Sequence, residues 1–178
     1  MNIVAIVGSI RKDSYNKRVA NFMKERYKDK LSIQVLLLND IPLFNEDIEE
    51  DPPQAVKEFK GKIKNSDGIL FVTPEYNHSI PGILKNALDW CSRVDRVMAK
   101  KPTFIVGASN GTVGTARCQG HLRLVLNSGG VAVNNLPGNE ILIKNVQDKF
   151  DGDELTDETT IKYLDRTVDR FIRWAERF

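Results

Sequence analysis

Three short stretches of this chain carry more hydrogen-bonding side chains than a connector needs. GSIRKDSYN, residues 8–16, sets Ser9, Arg11, Ser14 and Asn16 immediately ahead of an amphipathic run. Hydroxyls, a guanidinium and the unpaired N–H groups of a helix start together make an anion site. A helix cap alone requires one such residue, and this loop has four. It has neither the spacing of a GxGxxG fingerprint nor the GK[ST] ending of a P-loop, so a terminal monophosphate fits it better than a diphosphate or triphosphate. TPEYNHS, residues 73–79, is the second stretch. Pro74 stiffens the backbone at a strand's end, Glu75 and Asn77 offer acceptors and donors, and Tyr76 offers a flat face with a polar tip. Ser79, ahead of Ile80 and Pro81, reads as a cap for the helix that follows. The third, SNGTVGTARCQGHLR, begins with Ser109, Asn110, Gly111 and Gly114, small residues that permit close backbone approach to a ligand; by itself it reads equally well as a flexible turn. His78 and His121 read as a rim residue and a helix-surface residue, since no carboxylate or cysteine spacing accompanies them as a metal site requires. Cys118, between Arg117 and Arg123, reads as a structural thiol.

The elements that must position these loops are legible from periodicity. Runs dense in β-branched residues recur at Ile3–Val7, Ile33–Leu38, Ile69–Val72 and Phe104–Val106, with a weaker one at Val131–Val133 and a possible extension at Ile141–Ile143. Runs apolar on both faces predict strands covered on both sides, as in a parallel sheet. Between them lie helical stripes: Tyr15, Val19, Phe22, Met23 and Tyr27; Ile80 to Val94 at spacings of three and four; and Ile161, Leu164, Val168, Phe171, Ile172 and Ala175. The acidic segment DGDELTDE precedes the last stripe, as a helix N-terminus favours. NEDIEEDPP, residues 45–53, reads as a solvated loop leading into a helix. The alternation predicts an α/β fold, a flavodoxin-like three-layer sandwich with a five-stranded parallel sheet of order 2-1-3-4-5 and helices on both faces. Ligands of such sheets bind beyond the carboxyl ends of the strands, where the order reverses. The three polar stretches follow strands 1, 3 and 4.

Length and composition set the outer bounds. A chain of 178 residues has room for one domain, 1–178, with a sizeable core. A formal charge of +2, with Lys and Arg dispersed, is too mild to predict a nucleic-acid partner. No apolar run approaches membrane-spanning length, and the opening MNIVAIVGS reads as a strand instead of a signal peptide. Two cysteines, Cys91 and Cys118, suit a reducing cytoplasm.

Taken together, the loops describe a ligand with a phosphate at one end and a flat, hydrogen-bonding ring at the other. Flavin mononucleotide (FMN) meets that description, as do other mononucleotides. GSIRKDSYN, TPEYNHSIPGILKNALDW and SNGTVGTARCQGHLR, in this order and at this spacing, resemble the motifs of the NADPH-dependent FMN reductase family, most of all the bacterial quinone and chromate reductases. The resemblance implies a phosphate site at Ser9, Arg11, Ser14, the backbone of Tyr15, and Asn16. It implies ring and ribityl contacts at Pro74, Glu75, Tyr76, Asn77, Ser109 and Gly111. It also implies FMN with NADPH or NADH as reductant, small-molecule electron acceptors, and self-association to a dimer or tetramer with the flavin near the subunit boundary. Two positions depart from the family pattern: Thr115 replaces a frequent second glycine, which is expected to narrow the space beside the flavin, and His78 replaces a common aromatic.

The chemistry expected is reduction of FMN by NAD(P)H and onward transfer to quinones, azo or nitro compounds, or metal oxyanions such as chromate. The cofactor carries that chemistry, so no side-chain nucleophile, acid–base pair or metal is expected. Two rivals are a flavodoxin-like electron carrier and a nucleotide-binding regulator. Carriers are typically acidic and cover the ring with aromatics from two loops, whereas this chain is slightly basic and Tyr76 is the single aromatic of its ring-binding loops.

Overall fold

The computed structural model describes residues 1–178. Its central sheet is parallel, built from β1 (Asn2–Val7), β2 (Ser32–Leu36), β3 (Gly68–Thr73), β4 (Pro102–Ala108), β5 (Asn134–Asn135) and β6 (Ile141–Ile143). The order is β2-β1-β3-β4-β5, with β6 also paired to β4, so the flavodoxin-like 2-1-3-4-5 arrangement holds. Pairing is in steady register, with Ile3 beside Ile33 and Val72 beside Val106.

Covering both faces explains why the strands are apolar throughout. On one face Ile3, Ala5 and Val7 pack with Met23 of α1 (Tyr15–Arg26) and with Leu164, Val168 and Phe171 of α5 (Glu158–Ala175). Phe104 and Phe171 meet there with ring centroids 4.3 Å apart. On the other face Val4 and Ile6 pack with Phe59 of α2 (Gln54–Lys64), Trp90 of α3 (Gly82–Ser92) and Leu122 of α4 (Ala116–Leu126). Each large side chain so buried contributes about 1.5–3 kcal/mol. No helix is long and apolar enough to cross a membrane.

The fifth sheet position differs from expectation. Val131–Val133 is not the strand: Val131 N–H bonds back to Ser128 in a turn, Ala132 has φ 45°, and pairing with β4 begins only at Asn134. The position is filled by two short pieces, β5 and β6, between which Pro137 and Gly138 leave the sheet. The gap is bridged by a side chain, since Asn139 Oδ1 accepts the Ile105 N–H at 2.9 Å.

Three smaller departures share one cause, local turn chemistry. Val94 lies past the end of α3, exposed and with φ 60°, and so outside the helical stripe. The acidic stretch before α5 is in part a hairpin, β7 (Phe150–Asp151) and β8 (Glu154–Leu155), turned at Gly152 with φ 57°. Asp157 alone caps α5, accepting from Thr160 N–H at 2.9 Å. The 45–53 connector holds one 3-10 turn, Glu46–Ile48, and is anchored by Arg93, which donates to both oxygens of Glu49 at 2.7 and 2.9 Å.

Candidate active site

β1, β3 and β4 end together, and their loops enclose a cavity of about 200 Å³. Ser9, Arg11, Ser14, Tyr15, Asn16, Pro74, Glu75, Tyr76 and Ser109 line it, with Ala108, Asn110 and Val146 completing the wall. Of the residues singled out in the sequence, Asn77 and Gly111 stand outside this lining. A wider trough of about 800 Å³ runs along α1 and the β7–β8 hairpin. Phe22 is its one apolar residue, and Arg18 and Arg26 on its wall are paired to Asp153 and Asp165. It offers no flat apolar wall for a ring, so the smaller cavity is the candidate site.

The first loop keeps its donors unused. Between Ser9 and Ser14 a single backbone N–H finds an acceptor in the chain, that of Arg11 to Ser9 Oγ at 3.3 Å. Ser14 caps α1, its Oγ accepting Lys17 N–H at a long 3.4 Å, so the capping explanation holds for this residue and leaves the others unexplained. Arg11 is exposed, donates to the Asp13 carbonyl, forms no ion pair and lies over the Tyr15 ring at 5.8 Å. Tyr15 is itself fixed by Phe150 at 5.7 Å and by Arg18 at 5.2 Å. Asn16 is different. Its amide is buried and fully paired with one distant residue: Nδ2 donates to Ala108 O at 2.9 Å and Oδ1 accepts Ala108 N–H at 3.0 Å. The side chain pins the start of α1 to the end of β4.

The second loop is a tight hairpin. Tyr76 and Ser79 exchange both backbone hydrogen bonds, at 3.1 and 3.0 Å, around Asn77 (φ 49°) and His78 (φ 62°). Two successive left-handed residues are the signature of a type I′ turn, and asparagine tolerates that region better than most side chains. The residue type at Asn77 therefore has a backbone reason as well as a possible ligand one. Ser79 does not cap α3; its Oγ lies 2.6 Å from His121 Nδ1 on α4, and Pro81 holds the cap position without a side-chain bond. Tyr76 is half exposed above the cavity. Glu75 lies in the wall, its Oε2 accepting Cys118 N–H at 2.9 Å and its Oε1 3.7 Å from Arg117. The Cys118 thiol, buried and donating to Pro74 O at 3.3 Å, has its pKa pushed up to about 12 by that burial. It serves packing, as read.

The third loop is braced by the end of β6, the extension expected at Ile141–Ile143, and by the turn that follows it. Ser109 N–H donates to Ile143 O at 3.0 Å, Val146 N–H to Ser109 O at 3.1 Å, and Gly111 N–H to Ser109 Oγ at 3.1 Å. A Cβ at Gly111 would meet only Ser109 Oγ, at 3.5 Å, so nothing in the protein's own packing requires glycine there. Thr115 does not narrow the cavity. It is fully buried against Gly107, where a Cβ would come within 1.8 Å of its hydroxyl, and that hydroxyl accepts from Gln119 Nε2 at 3.1 Å.

The donor set suits FMN: unpaired backbone N–H groups and a guanidinium without a carboxylate partner at one end, and at the other a proline–tyrosine wall with polar edges. An open parallel sheet with such a cavity at its switch point defines a mononucleotide-binding α/β protein. Residues 1–148 match the family described as NADPH-dependent FMN reductase, and the chain belongs to that family. It is 40% identical to the NADH-dependent flavin reductase subunit 2 of Lactobacillus johnsonii, over 99% of this chain and 98% of that one. It is 36% identical to the quinone reductase of Escherichia coli, over 99% and 96%. Among solved structures it is similar to FerB, a flavoenzyme NAD(P)H:(acceptor) oxidoreductase from Paracoccus denitrificans, with TM-score 0.87 and 33% identity over 99% and 97% of the two chains. A Pseudomonas aeruginosa flavodoxin, 13% identical with TM-score 0.62, shares the fold.

Proposed function

We propose that residues 1–178 work as one reductase domain that holds FMN in this cavity and passes electrons from NAD(P)H to small-molecule acceptors of the quinone class. The observation that carries the reading is the meeting of three loops around one cavity, with Arg11, free of any carboxylate, at one end and the Tyr76 hairpin at the other. Bound FMN supplies two-electron chemistry between the reductant and the acceptor. The residues of the chain do the rest. Ser9, Arg11, Ser14 and the N–H groups at the start of α1 bind the phosphate, with the helix dipole behind them. Asn16 sets the distance between that site and the third loop. Pro74, Glu75, Tyr76 and Asn77 receive the ring, while Ser109 and Gly111 approach it closely from β4.

The names of the relatives support quinones and flavins as acceptor class; azo, nitro and chromate acceptors extend it. Self-association to a dimer or tetramer belongs to the same reading. Ile10, Leu43, Tyr76 and Val113 are exposed, one from each loop at the carboxyl ends of β1 to β4, and a second copy laid there would cover them. Cytoplasmic residence accords with two buried, unpaired cysteines.

Anaerobic titration of the FMN-loaded protein with NADPH and then NADH tests the reading. Loss of the flavin absorbance with a nicotinamide, followed by its return on adding a quinone, is the expected result. Retained absorbance makes the chain a carrier, and a protein that cannot be loaded with FMN makes it a regulator.

A further inference from the structure

Glu75 combines two properties that usually exclude one another. It lines the cavity, yet its carboxylate is fastened to a neighbouring helix. Only 9% of the side chain is exposed. Its partner, Cys118 N–H, is a first-turn donor of α4 without an intrahelical acceptor, so the carboxylate fills the role of a cap supplied from another loop. The Cys118 thiol, bonded to Pro74 O at 3.3 Å, ties the same two segments a second time. Arg117 stands 3.7 Å away but is half exposed at 51%, and a pair so open to water compensates the charge only weakly. A negative charge is thereby fixed in the wall that receives the ring.

Oxidation of NAD(P)H to NAD(P)⁺ delivers two electrons and one proton, so the charge at the ring becomes one unit more negative. A carboxylate held beside it opposes that change, and α4 and Arg117 limit the opposition. We propose that Glu75 sets the reduction potential of bound FMN, lowering it, and that Arg117 counteracts Glu75. The inference rests on the FMN reading of the cavity and adds a direction to it.

The test is the two-electron potential of FMN-loaded protein, read spectroscopically against a dye of known potential, for the wild type, Glu75→Gln and Arg117→Gln. Glutamine keeps an oxygen for Cys118 N–H and nearly the same shape, removes the charge, and puts an NH2 in place of the second oxygen. Glu75→Gln is expected to tighten reduced FMN relative to oxidised FMN about tenfold, a rise of about 30 mV. Arg117→Gln is expected to shift the potential the other way and by less. Opposite signs are what a purely structural role would not produce. An unchanged or lowered potential in Glu75→Gln overturns the inference, as do shifts of the same sign in both variants. If Glu75→Gln does not retain FMN, Arg117→Gln decides alone, and the absence of a fall overturns it. A wild type that holds no FMN overturns the reading of the cavity and this inference together.

Discussion

Arg11 is the residue on which the phosphate end of the site can be isolated. Removing its guanidinium by Arg11→Ala is expected to weaken FMN binding by roughly 1.5–3 kcal/mol, as for a hydrogen bond to a charged group. Riboflavin, which lacks the phosphate, is expected to bind Arg11→Ala and the wild type alike; fluorescence titration with both ligands reads the difference, and equal losses would move Arg11 out of the site. Asn16 makes a contrasting prediction. Asn16→Ala leaves the buried N–H and C=O of Ala108 without partners, so it is expected to cost roughly 2–4 kcal/mol of stability even without flavin, read from the urea midpoint. Residues such as Ser9 and Arg11 were legible because their loop holds more polar groups than a cap needs. The clamp at Asn16 was not, since a bond spanning 92 positions leaves no trace in local spacing. The turn role of Asn77 and His78 is not legible, because a left-handed pair of residues outside glycine does not announce itself in sequence.

At the scale of elements, α5 depends on its cap. Asp157 has its pKa lowered to about 2, first by the hydrogen bond from Lys149 and then by those from Thr160. A carboxylate whose folded pKa lies below its unfolded value of about 3.9 stabilises the native state above that value. The contribution fades as pH falls from about 4 through 2. Asp157→Ala is therefore expected to cost about 1 kcal/mol at neutral pH, and the gap from the wild type should narrow on acidification across that window in a denaturation series. A gap that stays constant down to pH 2 would remove the charge from the explanation. Four strands and three helices were legible because burial on both faces imposes long apolar runs and one-sided stripes. The fifth sheet position was not: β5 is a pair of asparagines with no apolar signature, while the apolar Val131 beside it is buried in a turn.

For the molecule as a whole, one cavity has to serve both reductant and acceptor. With the first loop closing the phosphate end and Tyr76 half exposed beside the ring wall, nicotinamide and quinone are expected to occupy the same face in turn. Initial rates at several quinone concentrations should then give parallel double-reciprocal lines against NADPH, the pattern of a ping-pong sequence. Intersecting lines would demand a ternary complex and a second binding face.

The interruption between β5 and β6 bears on what this border of the sheet can pair with. An uninterrupted edge strand presents a row of free N–H and C=O groups that any other strand can template upon. Here that border is two short pieces parted by a proline and a left-handed glycine, with the Asn139 amide standing in for backbone between them. Strand-on-strand growth finds no continuous ladder along this side. Any contact made on this side has to be recognised by side chains, because the backbone there offers too short a run of free groups to pair with.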